Sequence, residues 1–300
     1  MAQRVRVKDV INLAAPSSWA ASVMPCALAT CVSYSQLREL PIDLVACLFA
    51  IAILMQSAVN AFNDYADFVR GTDTLENSPD ASDAVIVYGM SPKVALACGI
   101  AFLVSAMAFA PYVTLRCGPA PLIIGIVGAI VVVTYSFGKT PISYLPLGEL
   151  VSGLVMGGLI PLAGVRMLVG RLDFFVLVQA LPVMVGISMI MFSNNGCDIE
   201  RDIPAGRHTL PCLLGRRRTD VLYRIMLVVW TASPALLLFA QGLASGAIVY
   251  CLEVPVMVFG LARQLGLQLG QKLRMQVMAG IGNLNVTLGF AYCVALMVAM

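Results

Sequence analysis

Long apolar runs separated by short polar stretches organise this chain. Nine runs are long enough to cross a bilayer, at 14–34, 44–66, 93–115, 119–137, 148–168, 174–196, 220–240, 244–262 and 278–299. A hydrocarbon layer of roughly 30 Å needs about 20 apolar residues in helical form. The expected fold is therefore all-α, a polytopic membrane protein with nine transmembrane helices. Pro and Gly recur inside the runs, which bilayer helices tolerate because neighbours re-satisfy the freed backbone groups. The connections alternate in length. Those at 35–43, 116–118, 169–173 and 241–243 are short, and those at 67–92, 138–147, 197–219 and 263–277 are longer.

Composition agrees. The 300 residues are 60% hydrophobic and 12% charged, against about 45–50% and 25% in a soluble domain. A net charge of +3 gives no argument for nucleic acid, but its distribution is informative. With the N-terminus inside, 15 of the 19 Lys and Arg fall on the inner side, leaving Arg38, Arg116, Arg166 and Arg171 outside. That bias predicts a plasma-membrane protein with cytoplasmic N-terminus and long loops, and an external C-terminus. Arg4, Arg6 and Lys8 ahead of an apolar run imitate a signal peptide, and LATC at 28–31 imitates a lipoprotein site. Thr30 is wrong for that cleavage, and the run is long enough to span. Nine cysteines without a CxxC, and one His, give no zinc or iron–sulfur framework.

Two polar stretches carry the candidate chemistry. NAFNDYADFVRGTD at 60–73 closes the second segment; NNGCDIERD at 194–202 closes the sixth and runs on through AGRHTLPCLLG to Gly215. Asp64 and Asp67 are three apart, and Asp198 and Asp202 four apart, so on a helix each pair shares one face. Like charges on one face want a cation between them. Oxygen-only ligands suit Mg²⁺, which one or two carboxylates hold together with phosphate oxygens. Two such helix ends facing each other would clamp a diphosphate from both sides. Their spacing, four helices apart, suggests a duplicated unit: one membrane domain over 1–300 with motif-bearing halves of about 1–140 and 141–300.

Each candidate also has a plainer reading. Asp73, Glu76, Asp80 and Asp83 belong either to the site or to a solvated loop. The four motif aspartates repeat at the bilayer boundary, where ionisable groups are costly and usually functional. Arg70, Lys139 and Arg207 are interfacial anchors or donors to diphosphate oxygens. Arg201, between two acids, can simply pair with them, and Arg216, Arg217 and Arg218 read as surface anchors. Phe62, Tyr65, Phe68, Tyr135, Phe137 and Phe192 either pack or offer ring faces to a carbocation. His208 reads as a surface residue, and Glu253, Asn283 and Asn285 as polar groups that satisfy broken helices. A transporter with Asp64, Asp198 and Glu253 as ion sites is the rival class, although the acids gather at one membrane face and not at the midplane.

NDYADFVRGTD at 63–73, TYSFGKTPISYLPLGEL at 134–150, and NN, two Asp, AGRHTL and LLG within 194–215 resemble the UbiA superfamily of intramembrane prenyltransferases. Within it the likeness is to the 1,4-dihydroxy-2-naphthoate polyprenyltransferases of menaquinone synthesis. The resemblance implies a helical bundle around a central cavity, capped on the cytoplasmic side. It implies Mg²⁺-dependent transfer from an isoprenyl diphosphate to an aromatic acceptor, with a hydroxybenzoate as the alternative acceptor. Carried over by position, the metal and catalytic set is Asp64, Asp67, Asp198 and Asp202 with Asn63 and Asn194 as further metal ligands. Asn60, Asn63, Arg70, Tyr135, Lys139, Asn194, Asn195 and Arg207 are then the substrate-binding residues. The chain departs from the pattern at three cations. Cys197 stands where an Arg is common in the second motif. APSSW at 15–19 replaces an RPKTL-like entry, and DAVIVYGMSP at 83–92 lacks an Arg.

Overall fold

The computed structural model describes residues 6–75 and 84–300, and every regular element there is helical. Arg4, Glu76, Asp80 and Asp83 lie outside the described residues. The helices are α1 (Val7–Ala14), α2 (Ala20–Leu37), α3 (Ile42–Val69), α4 (Pro92–Met107), α5 (Ala110–Cys117), α6 (Ala120–Ser136), α7 (Gly148–Leu154), α8 (Ile160–Val169), α9 (Phe175–Gln179), α10 (Leu181–Cys197), α11 (Ile199–Asp202), α12 (Leu210–Leu214), α13 (Arg216–Ala240), α14 (Ala244–Gly266) and α15 (Arg274–Ala299). A π-helical turn, Val155–Leu159, joins α7 to α8.

All nine apolar segments fall on helices, but they are not nine uniform rods. Among the described residues, six helical stretches are long and apolar enough to cross a membrane. They are Ile42–Val69, Pro92–Cys117, Gly148–Val169, Arg216–Ala240, Ala244–Gly266 and Gln271–Ala299. The helices α6 and α10 are apolar but only 17 residues long. Proline explains several breaks. It stands in the first turn of α4, α5, α6, α8 and α10, where its missing N–H costs no helical bond. The segment at 93–115 therefore turns at Ala108–Phe109, and the one at 174–196 restarts after Ala180. The first segment likewise begins late. Ala15 adopts a left-handed φ of 47°, separating α1 from α2.

The exposed apolar side chains are those of a multi-pass membrane protein. Leu252, Val256 and Phe259 on α14 are 73%, 84% and 86% exposed, a face that water would not tolerate but lipid does. Inside the bundle, α2, α10, α13 and α15 pack through one apolar core. Its buried tyrosine hydroxyls all find partners: Tyr223 donates to Gln264 Oε1 at 2.6 Å, Tyr250 to Thr231 O at 2.9 Å and Tyr292 to Gln179 O at 2.8 Å.

Candidate active site

Both acidic stretches end on the same kind of turn. After Asp67 the chain reverses at Gly71, with φ +72°, so that the Thr72 amide donates back to Asp67 O at 2.9 Å. After Asp202 it reverses at Gly206, with φ +75°, and the Arg207 amide donates to Asp202 O at 3.0 Å. A β-carbon would strain either left-handed position, so Asp-x-x-x-Gly is the sequence mark of both turns. They carry Asp73 and Arg207 back over the helix ends.

The second motif differs from expectation in one respect. Asp198 and Asp202 do not share one unbroken helix, because α10 ends at Cys197 and Asp198 lies off the helical backbone at φ −105°, ψ 12°. The Asp202 amide still donates to Asp198 O at 2.8 Å, so one turn's spacing survives.

Two arginines join the motifs. Arg207 is buried, bonded to Asp67 and 3.6 Å from Asp202. Arg201 lies 2.8 Å from Asp198 and 3.4 Å from Asp73. Each guanidinium thus spans from the first stretch to the second. Asn63 donates to Asp67 at 3.1 Å. A third cation enters from α15: Arg274 donates to Asn194 Oδ1 at 2.8 Å and to Asp198 at 3.3 Å.

Five carboxylate oxygens here are buried without a hydrogen-bond donor among the described residues: both of Asp64, both of Asp202, and Asp198 Oδ1. The Val85 and Ile86 amides approach Asp64 without closing a bond, and the Arg207–Asp202 contact is too long for one. Burial pushes Asp73 and Asp202 up to about 6, against the pull of their arginines. Arg207 loses charge stability to burial, but Asp67 and Asp202 outweigh that and hold its pKa above the ordinary value. Buried acceptor oxygens without donors are the chemistry that suits a hard divalent cation, although among the described residues no three acidic side chains converge as a ready-made metal cluster.

Some of these groups reach the polar end of a cavity of about 930 Å³. Asn60, Asn63, Asp64, Asp73, Asn194, Asn195, Arg207 and Arg274 line that end, and Ile51, Met55, Ile124, Val131 and Leu159 are among the apolar residues lining the rest. Asn60 also ties the entry turn down, donating to Ala14 O at 2.9 Å and to Ser18 at 2.8 Å. Five expected residues are not on the cavity wall: Asp67, Asp198 and Asp202, which are held in the ion pairs with Arg207, Arg201 and Arg274, and two cations. Lys139 is exposed and off the cavity wall. Arg70 is exposed, donates to Ser136 O at 2.9 Å and stacks on the Tyr144 ring at 4.9 Å, with Arg207 over the same ring at 5.0 Å. Of the six aromatic candidates only Tyr135 lines the cavity; Phe62 packs edge-on to Phe137 with ring centroids 5.3 Å apart. Cys197 is fully buried in the core, so the position that lacks its Arg does not face the cavity. Arg274 and Tyr144 escaped sequence reasoning. Arg274 reads only as one more inner-side cation, although it directly precedes the last apolar segment.

The description "UbiA prenyltransferase family" matches residues 22–296. The 1,4-dihydroxy-2-naphthoate octaprenyltransferase of Bacillus subtilis (strain 168) is 32% identical over 206 residues, 69% of this chain and 66% of that protein. UbiA prenyltransferase domain-containing protein 1 of Mus musculus is 30% identical over 298 residues, 95% of this chain and 82% of that protein. Among solved structures, a UbiA homolog from Archaeoglobus fulgidus bound to DMAPP and Mg²⁺ aligns with a TM-score of 0.64 at 16% identity, covering 95% of this chain and 99% of that one. Acidic motifs bridged by arginines at one end of an apolar cavity, and these matches, lead to one conclusion: the chain belongs to the UbiA prenyltransferase family.

Proposed function

We propose that this enzyme transfers a polyprenyl group from an isoprenyl diphosphate to an aromatic acceptor, with 1,4-dihydroxy-2-naphthoate as the acceptor in menaquinone synthesis. The observation that carries this reading is the pair of arginine bridges, Arg207 and Arg201, which draws two acidic motifs to the polar end of an apolar cavity. The name of the Bacillus relative supports the acceptor, and the ligands of the Archaeoglobus homolog support the donor class and the metal.

Asp64, Asp67, Asp198 and Asp202, with Asn63 and Asn194, would hold Mg²⁺, which when bound supplies positive charge to the diphosphate leaving group. Arg207, Arg201 and Arg274 add cationic donors beside the same oxygens, where a low-dielectric wall strengthens them. The bond from C1 of the prenyl group to the diphosphate oxygen breaks, and C1 bonds to the acceptor ring. In the naphthoate case the ring carboxylate leaves as CO₂. The apolar walls exclude water that would otherwise capture the allylic cation, and hold the tail and ring in line. Asn60 and the Ser18 turn close the entry side, while Tyr135 and Asn195 contact the acceptor.

The test is prenyl transfer in proteoliposomes with Mg²⁺, labelled farnesyl diphosphate, and either the naphthoate or 4-hydroxybenzoate. A prenylated naphthalene product is expected. Product with the hydroxybenzoate alone moves the acceptor assignment, and no product with either contradicts the reading.

This reading also takes nine segments as spans around a central cavity in the plasma membrane, with the motifs on the cytoplasmic face. Glu39 and Arg217 are exposed at ends assigned to opposite sides. In a cysteine-free background, a membrane-impermeant maleimide should label Glu39→Cys in intact spheroplasts. Arg217→Cys should react only after permeabilisation, and the reverse pattern would invert the topology.

A further inference from the structure

One corner of the cavity has polar groups outside the set assigned above to the metal. Glu149 opens α7 and is only 5% exposed. Its Oε1 accepts a hydrogen bond from Asn195 Nδ2 at 2.9 Å. Its Oε2 has no hydrogen-bond partner among the described residues, although its own amide and that of Leu210 lie nearby. The Tyr135 hydroxyl is also buried and has no hydrogen-bond partner among the described residues, although Ser152 stands beside it. Tyr135, Asn195 and Ser152 line the cavity; Glu149 stands behind that wall.

The packing that makes this corner is specific. A β-carbon on Gly153 would stand 2.2 Å from Ser188 Oγ and 2.8 Å from Met184 O, so only glycine lets α7 lie this close to α10. Ser188 then donates to Glu149 O at 3.0 Å, which fixes the first turn of α7 against α10. The close approach places a buried acid behind an amide whose own helix carries the second motif.

Asn195 meets Glu149 Oε1 through its NH₂ end, which leaves Oδ1 as the acceptor available to the cavity. Buried polar atoms left without partners are costly, so a ligand that satisfies them gains selectivity over one that does not.

We propose that the Tyr135–Glu149–Asn195 corner is a hydroxyl-recognition subsite for the aromatic acceptor. The acceptor's O–H donates to Asn195 Oδ1, and its oxygen accepts from the Tyr135 hydroxyl. Glu149 is a positioning residue that locks the Asn195 amide in its accepting orientation. This subsite rests on the reading of the chain as an aromatic prenyltransferase, but it can be measured without turnover.

The probes are 4-hydroxy-2-naphthoate and 2-naphthoate, which differ by one hydroxyl. Their binding to the purified protein in detergent, without prenyl diphosphate, is compared after correction for micelle partition. The wild type should prefer the hydroxylated probe roughly tenfold, the scale of one well-made hydrogen bond. Glu149→Gln keeps the shape but offers Asn195 either a donor or an acceptor, so the amide can turn and the preference should fall to about twofold. Tyr135→Phe, which removes one oxygen, should lower it as well, and covers the case in which the Gln variant does not fold. A merely structural Glu149 would leave the ratio between probes unchanged. Equal binding of both probes to the wild type, or an undiminished preference in both variants, overturns the subsite. A retained hydroxyl preference without any prenyl transfer would instead sink the transferase reading alone.

Discussion

Asp64→Asn and Asp198→Asn should each abolish most prenyl transfer, and the double variant should be little worse than either single one. Both substitutions keep shape while removing a charge. Asp64 is buried with both oxygens unbonded among the described residues, so the neutral amide should fold without difficulty. Asp198 already accepts from Arg201 and Arg274, and its loss frees two cations without removing a donor from the protein. Groups that serve one bound species lose most of their effect when any member goes, so losses do not multiply. Initial rates at saturating donor check this, with thermal unfolding in detergent confirming the fold. Multiplicative losses would mean that the two motifs act on different species.

Arg207→Ala should be the most damaging single change to stability. The guanidinium is buried, holds Asp67 and lies 3.6 Å from Asp202. Removing it strands two carboxylates in a dry setting, a loss of about 3–5 kcal/mol for a buried pair broken on one side. A lowered Tm and loss of expression in membranes are expected. Arg207→Lys keeps the charge but not the fork that spans two acids, and should fall between. Pairing Arg207→Ala with Asp67→Asn should recover part of the stability, because one stranded charge is then gone. No recovery would place Arg207's role outside the ion pairs.

The sequence disclosed local matters well. Segment positions follow from apolar length alone and each coincides largely with helix, but among the described residues only six helical stretches are long and apolar enough to cross a membrane. The paired aspartates follow from helical spacing, and Arg201 does pair with one acid of its own stretch, Asp198, but its second partner is Asp73 of the first stretch and not Asp202. What it did not disclose are contacts between distant segments. Nothing local shows that Arg274, 76 residues after Asp198, reaches back to it. Nor does composition separate Arg207, buried between acids, from Lys139, exposed off the cavity: both are single cations after an apolar run. Arg70 is one turn beyond Asp67 and looked equally suited to diphosphate, yet it is spent on backbone carbonyls and the Tyr144 ring. The break at Asp198 was hidden because its cause is the backbone path and not a Pro or Gly. Glu149 was passed over for a related reason: a lone acid in an apolar run shows no partner until α7 and α10 are packed together.

The central claim is that both motifs hold one metal–diphosphate unit. Calorimetric binding of farnesyl thiodiphosphate, an unreactive donor analogue, to the detergent-purified protein tests it most directly. Binding should require Mg²⁺, disappear on chelation, and be lost alike in Asp64→Asn and in Asp198→Asn, although Asp64 lies on α3 and Asp198 at the junction of α10 and α11. Binding that persists without Mg²⁺, or that survives loss of either aspartate, would contradict the account.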